Sequence, residues 1–566
     1  MPNEDSENVY DCIVLGAGIG GVTAARDLQE KGLRVLLVEG SDRVGGRMYS
    51  KRTVVRNRDY VPHRENPEEK GKYIPIEAGA EYIHVEEKKR YKKFWTEINK
   101  HGFSTSHFHK SGSLLPPEIP RNRVFFPSFE RTVPTLVSLL DGDVLRMTVL
   151  LADLQSFDPT KEEDVSAKEY VDKKKYEGHG KAMAEYTMSA HTPGLLDERN
   201  DTISVAGITA DEIPDQFLES KEFRLELEQK WEQNICGYDT LPKTIVQEFC
   251  HLGGTLKKSD DGKTNMKVIR VDRSGDGIIT VRTKGGDTFS GRSAICTFSV
   301  GMLDPDTGEG DTIFGDLLTK EKRTALEGVK MGPITKFSLE FRKRKWKHDG
   351  PWAGHMSVLS NPDGDARTFF SAFPDQGNGP HVLTALLMSK DHEKIKEKDD
   401  ADAIQHLLDV LQKIYDPKGK RWTPAKVLVG KRDGNGNFIP NYSRQDWAKD
   451  EFAKGGNSFL KFIPKAERKM KVTEVREALK NPRETLPLFW AGEATAPAYD
   501  RNYQPLSVHG AYISGVGVAE DVEHYFRECN KDVQRFNEYY KKKYSDGKKK
   551  PASPDWDFDE DSEMIG

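Results

Sequence analysis

The sequence predicts a mixed α/β protein built from interleaved domains, and three observations predict it. Residues 10–40 run strand, glycine-rich turn, helix and strand, the opening of a parallel sheet. Helical periodicity and period-two alternation then succeed one another along the chain. Finally, 566 residues are far more than one hydrophobic core usually supports.

Composition narrows the function classes. Hydrophobic residues make up 36% and charged ones 31%, the balance of a soluble globular chain. A net charge of −5 with both signs abundant leaves no basic field for nucleic acid. The start, MPNEDSENVYD, lacks the basic-then-apolar order of a secretory signal. No apolar run approaches the roughly 18 residues of a membrane span. Cys12, Cys236, Cys250, Cys296 and Cys529 show no CxxC or metal-ligand spacing, so no metal is expected. Most of them read as small core residues. The expectation is a cytoplasmic enzyme.

YDCIVL (Tyr10 to Leu15) is short, apolar and β-prone, as a buried parallel strand should be. GAGIGG then sets Gly16, Gly18 and Gly21 at the G-x-G-x-x-G spacing of a Rossmann-type unit. Those glycines permit a tight turn, a close approach to pyrophosphate, and close helix packing, with a helix N-terminus aimed at the anion. VTAARDLQEKG has helical periodicity and stops at Gly32, and LRVLLVEG ends its strand at Glu39, placed to accept from ribose hydroxyls. RVGGR adds Arg43 and Arg47 as cations near the diphosphate. Gly45 and Gly46 between them would let backbone pass close to the cofactor.

On that second glycine pair the chain resembles the flavin-containing amine oxidases, which favours FAD over a nicotinamide. The resemblance continues in IPIEAGAEYIH (Glu77, Gly79, Ala80, Tyr82, His84), whose small residues would let backbone lie along the flavin. His84 matches a substrate-contacting histidine of polyamine oxidases, and reads equally as a structural histidine bonded to backbone. GYDTLPKTIVQEF resembles the return into the cofactor domain, and Val268 matches a residue whose backbone meets adenine. Lys336, in the strand ITKFSLEF, reads as an exposed edge lysine or as the family's lysine bonded through water to flavin N5. LFWAGEATAPAY followed by SVHGAYISGVGVAEDVEHYF resembles the carboxy-terminal flavin signature. There Gly492 ends a strand, Glu493 would bond a ribityl hydroxyl, and a helix from Val508 would face the flavin's pyrimidine edge.

The resemblance implies an FAD-binding domain of residues 8–85, 231–310 and 481–538. A substrate domain would comprise a helical part, 86–230, and a part on a mixed sheet flanked by helices, 311–480. A charged tail, 539–566, reads as solvated. Within 86–230, TVPTLVSLLDGDVLRMTVLLADL and KEFRLELEQKWEQ read as helical, and Lys51 to Tyr73 as an exposed insertion.

The implied activity is oxidation of a small-molecule amine. A hydride equivalent passes to FAD, the imine hydrolyses, and O2 is reduced to hydrogen peroxide. Tyr442, in FIPNYSRQ, matches the family's Gly-Ser-Tyr-Ser segment as one wall of the amine site, but KRDGNGNFIPNYS lacks the tryptophan usual ahead of it. The facing position is Ser507 rather than tyrosine, which looks more like polyamine oxidases than monoamine oxidases. No cysteine stands near Ser507, so FAD is expected to be noncovalent. An L-amino-acid oxidase, a specialised biosynthetic oxidase, a histone demethylase and a flavin-binding scaffold are the competing readings.

Overall fold

The computed structural model describes residues 9–54, 73–81, 83–84, 92–110, 123–126, 131–134, 154, 157–158, 161–174, 202–210, 221–227, 234–235, 237–343, 356–359, 366–371, 381–416, 418–496 and 505–545. It opens with strand β1 (Cys12–Leu15), helix α1 (Ile19–Glu30) and strand β2 (Val35–Glu39). Both strands are wholly buried and pair in parallel from Cys12↔Val35 to Leu15↔Val38. Strands buried on both faces read as unbroken apolar runs, which is why CIVL and VLLV carry no alternation.

Three later segments join this sheet: β3 (Thr255–Lys258), β4 (Ala294–Cys296) and, near the end of the chain, Leu488–Trp490. The order is β3-β2-β1-β4-(Leu488–Trp490), all parallel. Alternate residues divide between two cores. Val14, Leu37, Ile295 and Phe489 pack with α1 and with the long helix Val508–Arg527. Ile13, Leu36, Ala294 and Leu488 pack with Val271 and Val281 of an adjoining four-stranded sheet.

The second large sheet has seven strands. Its interior strand β5 (Ile334–Phe341), second from one edge, lies between β6 (His381–Met388) and β7 (Tyr442–Asp446), antiparallel to both. Ala366–Ser371, Met356–Leu359, Arg123–Phe126 and Arg131–Pro134 extend it past β6, with one parallel pairing that makes it mixed. The helix Asp400–Tyr415 covers one face, where Phe337, Leu339 and Phe341 meet Ile404, Leu407 and Leu411. Asp399 caps that helix, accepting from Asp402 N.

Three local expectations are corrected. KEFRLEL is a strand, Lys221–Leu227, antiparallel to Phe103–Lys110. Phe223, Leu225 and Leu227 alternate, and pairing overrides the helix propensity of its Leu and Glu residues. Lys51 to Val54 belongs to a hairpin strand, Ser50–Val54, paired with Tyr73–Glu77. Only 55–72 of the expected insertion remains, outside the described residues. Arg131–Pro134 is a strand as well, while 135–153 and the tail beyond 545 lie outside the described residues.

Small residues in the last long helix serve helix contact. A Cβ on Gly515 would lie 2.3 Å from the Gly20 carbonyl, and one on Gly20 would lie 2.8 Å from the Ala511 carbonyl. The helix Val508–Arg527 therefore touches α1 backbone to backbone. Gly515→Val should destabilise the fold by about 1–3 kcal/mol through overpacking, read as a lowered thermal midpoint. Gly275→Ala, where an added Cβ meets nothing within 4 Å, should leave the midpoint unchanged.

Candidate active site

The glycine turn is built as a nucleotide cradle. Gly16 has φ +99°, and a Cβ on Gly21 would lie 1.9 Å from the Gly16 carbonyl. A Cβ on Gly18 would meet nothing within 4 Å, so this position is open toward a ligand. Glu39 is buried and accepts from Ala17 N (2.6 Å) and Ser41 N (2.8 Å), tying β2 to the turn. Burial pushes its carboxyl up, against the pull of those two amides.

The second glycine pair has a definite purpose here. Gly45 (φ +105°) and Gly46 (φ +57°) turn the chain back so that Gly45 N donates to Ala17 O (2.8 Å) and bridges Gly18. The arginines beside them brace protein. Arg43 donates to Gly46 O (2.6 Å) and lies 4.0 Å over the Tyr49 ring. Arg47 donates to Gly456 O (2.8 Å) and to Glu493 Oε1 (2.9 Å). Val268 begins a strand and is buried opposite Thr283.

Glu493 is a buried hub just past Gly492. Besides Arg47 it accepts from Ser458 Oγ (2.7 Å) and Leu506 N (3.2 Å), and Arg476 donates to that same Ser458 (3.0 Å). Burial raises its carboxyl, but Arg47, Arg476 and Ser458 outweigh it and hold it below the ordinary value. Three donors among the described residues thus share the four acceptor positions of this carboxylate.

Lys336 is the buried cation of the site, at 8% exposure. Its ammonium donates to Gly79 O (2.7 Å), Glu77 O (3.3 Å) and Glu81 Oε2 (2.8 Å). It therefore clasps the segment Glu77–Glu81 from β5. That segment is fixed from its other sides by further hydrogen bonds. Trp447 Nε1 donates to Ala78 O (2.8 Å), Ala80 N donates to Arg47 O (3.0 Å), and Glu77 accepts from Ser50 Oγ and Tyr238 N. Being paired along both edges, β5 excludes the edge-lysine reading.

Tyr442 is not brought to this site. Lys336 faces Gln445 across the ladder and Ser338 faces Ser443, whereas Tyr442 faces Leu339. Period-two alternation puts Tyr442 on the opposite face of the sheet. There it stacks on Phe337 (5.6 Å) and donates to Asp400, with burial and that carboxylate pushing its hydroxyl up to about 12. The tryptophan sought ahead of Tyr442 stands after it: Trp447 leads to Gly455, Gly456, Asn457 and Ser458, which reach Arg47 and Glu493.

Ser507 is the N-cap of the helix Val508–Arg527, accepting from Gly510 N (3.0 Å), and Val508 is its first residue. Leu506 before it has φ +70°. His84 lies on a short strand paired with Glu222, and its side chain is outside the described residues. Glu81, Trp447 and Ser458 were missed by sequence reading. For Ser458 the signal was the Trp-then-Gly-Gly pattern, overlooked beside the nearer NYS.

A family model for flavin containing amine oxidoreductases matches residues 19–523. The chain belongs to this family. Its cofactor is FAD, and the open Gly18 and the buried Glu39 fit that group. Among relatives, lysine-specific histone demethylase 1 homolog 3 of Oryza sativa subsp. japonica is 24% identical over 520 residues, covering 90% of this chain and 53% of that protein. Polyamine oxidase 2 of Arabidopsis thaliana is 23% identical over 520 residues, covering 90% and 87%. The chain thus spans about half the length of the demethylases it matches. Cyclohexylamine oxidase from Brevibacterium oxydans has a TM-score of 0.62 at 15% identity, covering 91% of this chain and 100% of that one. Putrescine oxidase bound to putrescine gives 0.62 at 15%, covering 91% and 98%. Among the described residues no helix is long and apolar enough to cross a membrane.

Since Glu493 is held below its ordinary 4.5, its contribution to stability is present above that value and is lost as pH falls through the lower folded one. Glu493→Gln should cost about 3–5 kcal/mol at neutral pH by leaving Arg47 and Arg476 without their carboxylate. The gap from wild type should close as pH is lowered below 4.5, as followed by urea unfolding across pH.

Proposed function

We propose that this chain is an FAD-dependent amine oxidase that oxidises a C–N bond of a polyamine or other secondary amine, with O2 as acceptor. The observation that carries the reading is Lys336, a buried lysine closed over the Glu77–Glu81 segment. When bound, FAD accepts a hydride equivalent from the amine's α C–H and returns the electrons to O2 as hydrogen peroxide.

The residues divide the work. Gly16, Gly18 and Gly21 with Glu39 take the dinucleotide end, Val268 offers backbone to the adenine, and Gly492 and Glu493 take the ribityl. The backbone of Gly79 and Ala80 forms the wall along the ring. The helix starting at Val508 presents its positive end to the pyrimidine edge, where reduction places negative charge. Lys336 holds the Gly79–Ala80 wall in place and sets its ammonium, paired with Glu81, on the side of the ring where oxygen is reduced. Ser507, a small hydroxyl residue, leaves room for a substituted amine. Tyr442 is replaced in this role by the Gly455–Ser458 stretch.

Similarity to lysine-specific histone demethylases over 90% of the chain favours a second reading, oxidation of an N-methylated lysine. Anaerobic bleaching of the yellow protein separates the two. Spermine, spermidine or acetylated polyamines should bleach it, with peroxide formed on admitting air. Bleaching by an N-methyl-lysine peptide alone would shift the assignment to the demethylase reaction, and bleaching by L-amino acids alone would overturn both. Lys336→Met should slow turnover by about 10²-fold, the usual cost of one charge-stabilising group, while Tyr442→Phe should leave it within about two-fold, as expected for a contact on the far face of the sheet.

A further inference from the structure

The Lys336 ammonium has three donors, and three acceptors surround it: Gly79 O at 2.7 Å, Glu77 O at 3.3 Å and Glu81 Oε2 at 2.8 Å. Two are neutral carbonyls, and the third is a carboxylate. Glu81 and Lys336 are both buried, at 6% and 8% exposure, so solvent screens their attraction little. Glu81 belongs to the very segment proposed to lie along the flavin, two residues beyond Gly79. The cation assigned to N5 is thus half of a closed ion pair.

We infer that Glu81 is a positioning residue for the flavin-facing lysine: its carboxylate holds Lys336 in one rotamer and masks its charge from the flavin. The inference rests on the placement of Lys336 beside the cofactor. In this chain the group near N5 is then an oriented, nearly neutral pair rather than a free cation. The electron affinity of the bound flavin, and its readiness to take up anions, is set by the carboxylate as much as by the lysine. One geometric fact supports this over a purely structural bridge. The backbone carbonyls of Glu77 and Gly79 already suffice to tie that link, so the carboxylate adds charge rather than a tether.

The test uses purified holoenzyme and sulfite, an anion whose affinity for oxidised flavin reports positive charge near the ring. Glu81→Gln keeps the shape and an acceptor oxygen for Lys336 while removing the negative charge. It should tighten sulfite binding by about ten-fold and raise the flavin's reduction potential, as unmasking one partly buried charge would. Lys336→Met, which removes the ammonium and leaves the Glu81 charge in place, should weaken sulfite binding, and the double variant Glu81→Gln with Lys336→Met, which removes both charges, should return it toward the wild-type value. A sulfite constant unchanged in Glu81→Gln but altered in Lys336→Met would overturn the inference and leave the amine-oxidase reading standing. A constant unchanged in Lys336→Met would place the lysine away from the ring and overturn both. Thermal midpoints of the same holoenzymes give a second check: additive losses in the double variant would mean that the two side chains are not coupled, which also defeats the inference.

Discussion

The carboxylate of Glu493 is the constraint on which the site depends. It lies at the end of the last parallel strand and gathers groups from distant parts of the chain: Arg47 from the first nucleotide unit, Ser458 from the sheet domain and Leu506 from the turn into the last long helix. Arg476 reaches the same point through Ser458. Burying a carboxylate is costly, and losing one partner of a buried pair costs about 3–5 kcal/mol, so these segments are held to one relative placement. The bond to Leu506 N has a further consequence. Leu506 is left-handed (φ +70°) without being glycine, a conformation worth about 1–2 kcal/mol of strain. Held there, it delivers Ser507 to the N-cap and sets the direction in which the helix from Val508 begins.

A second constraint is parity along β5. Each of its residues is buried, yet successive side chains serve different interiors. Phe337, Leu339 and Phe341 meet the covering helix, while Lys336 reaches the Glu77–Glu81 segment. The same parity crosses the ladder and decides the fate of β7, where Tyr442 goes to the helix side with Asp400. A one-residue shift in register would exchange these roles. The full antiparallel pairing of β5 with β6, from Ile334↔Met388 to Phe341↔His381, fixes it.

Much of the cofactor end was legible because its chemistry is local. Gly16, Gly18, Gly21 and Glu39 sit within one strand-turn-helix-strand unit, and the positions that need left-handed backbone or close approach are glycines in the sequence itself. Lys336 was legible as the basic residue in ITKFSLEF, although alternation alone left the edge reading open. What was not legible is relational. Whether Arg43 and Arg47 face a ligand or brace protein depends on Tyr49 and Glu493, far from any local pattern. Tyr442 failed because an aromatic beside Pro440 and Ser443 looks like a pocket wall until register assigns its face. KEFRLEL failed because its Leu and Glu residues favour helix, while its partner strand lies more than a hundred residues earlier.

These pairings together change how the site handles charge. The three cations that the sequence aims at the cofactor are each matched to a carboxylate, Arg43 to Asp450, Arg47 to Glu493 and Lys336 to Glu81. Such pairs act over short range as dipoles, so their field at a neighbouring ring is weaker and more directional than that of free charges. The positive end of the helix Val508–Arg527 differs. It spans 20 residues, and its backbone dipole needs no counter-charge to be stable in place. On the proposed reading, charge that develops during the reaction is met by that fixed backbone end. The paired side chains then define geometry, and only a change at Asp450, Glu81 or Glu493 would convert one of them back into a charge.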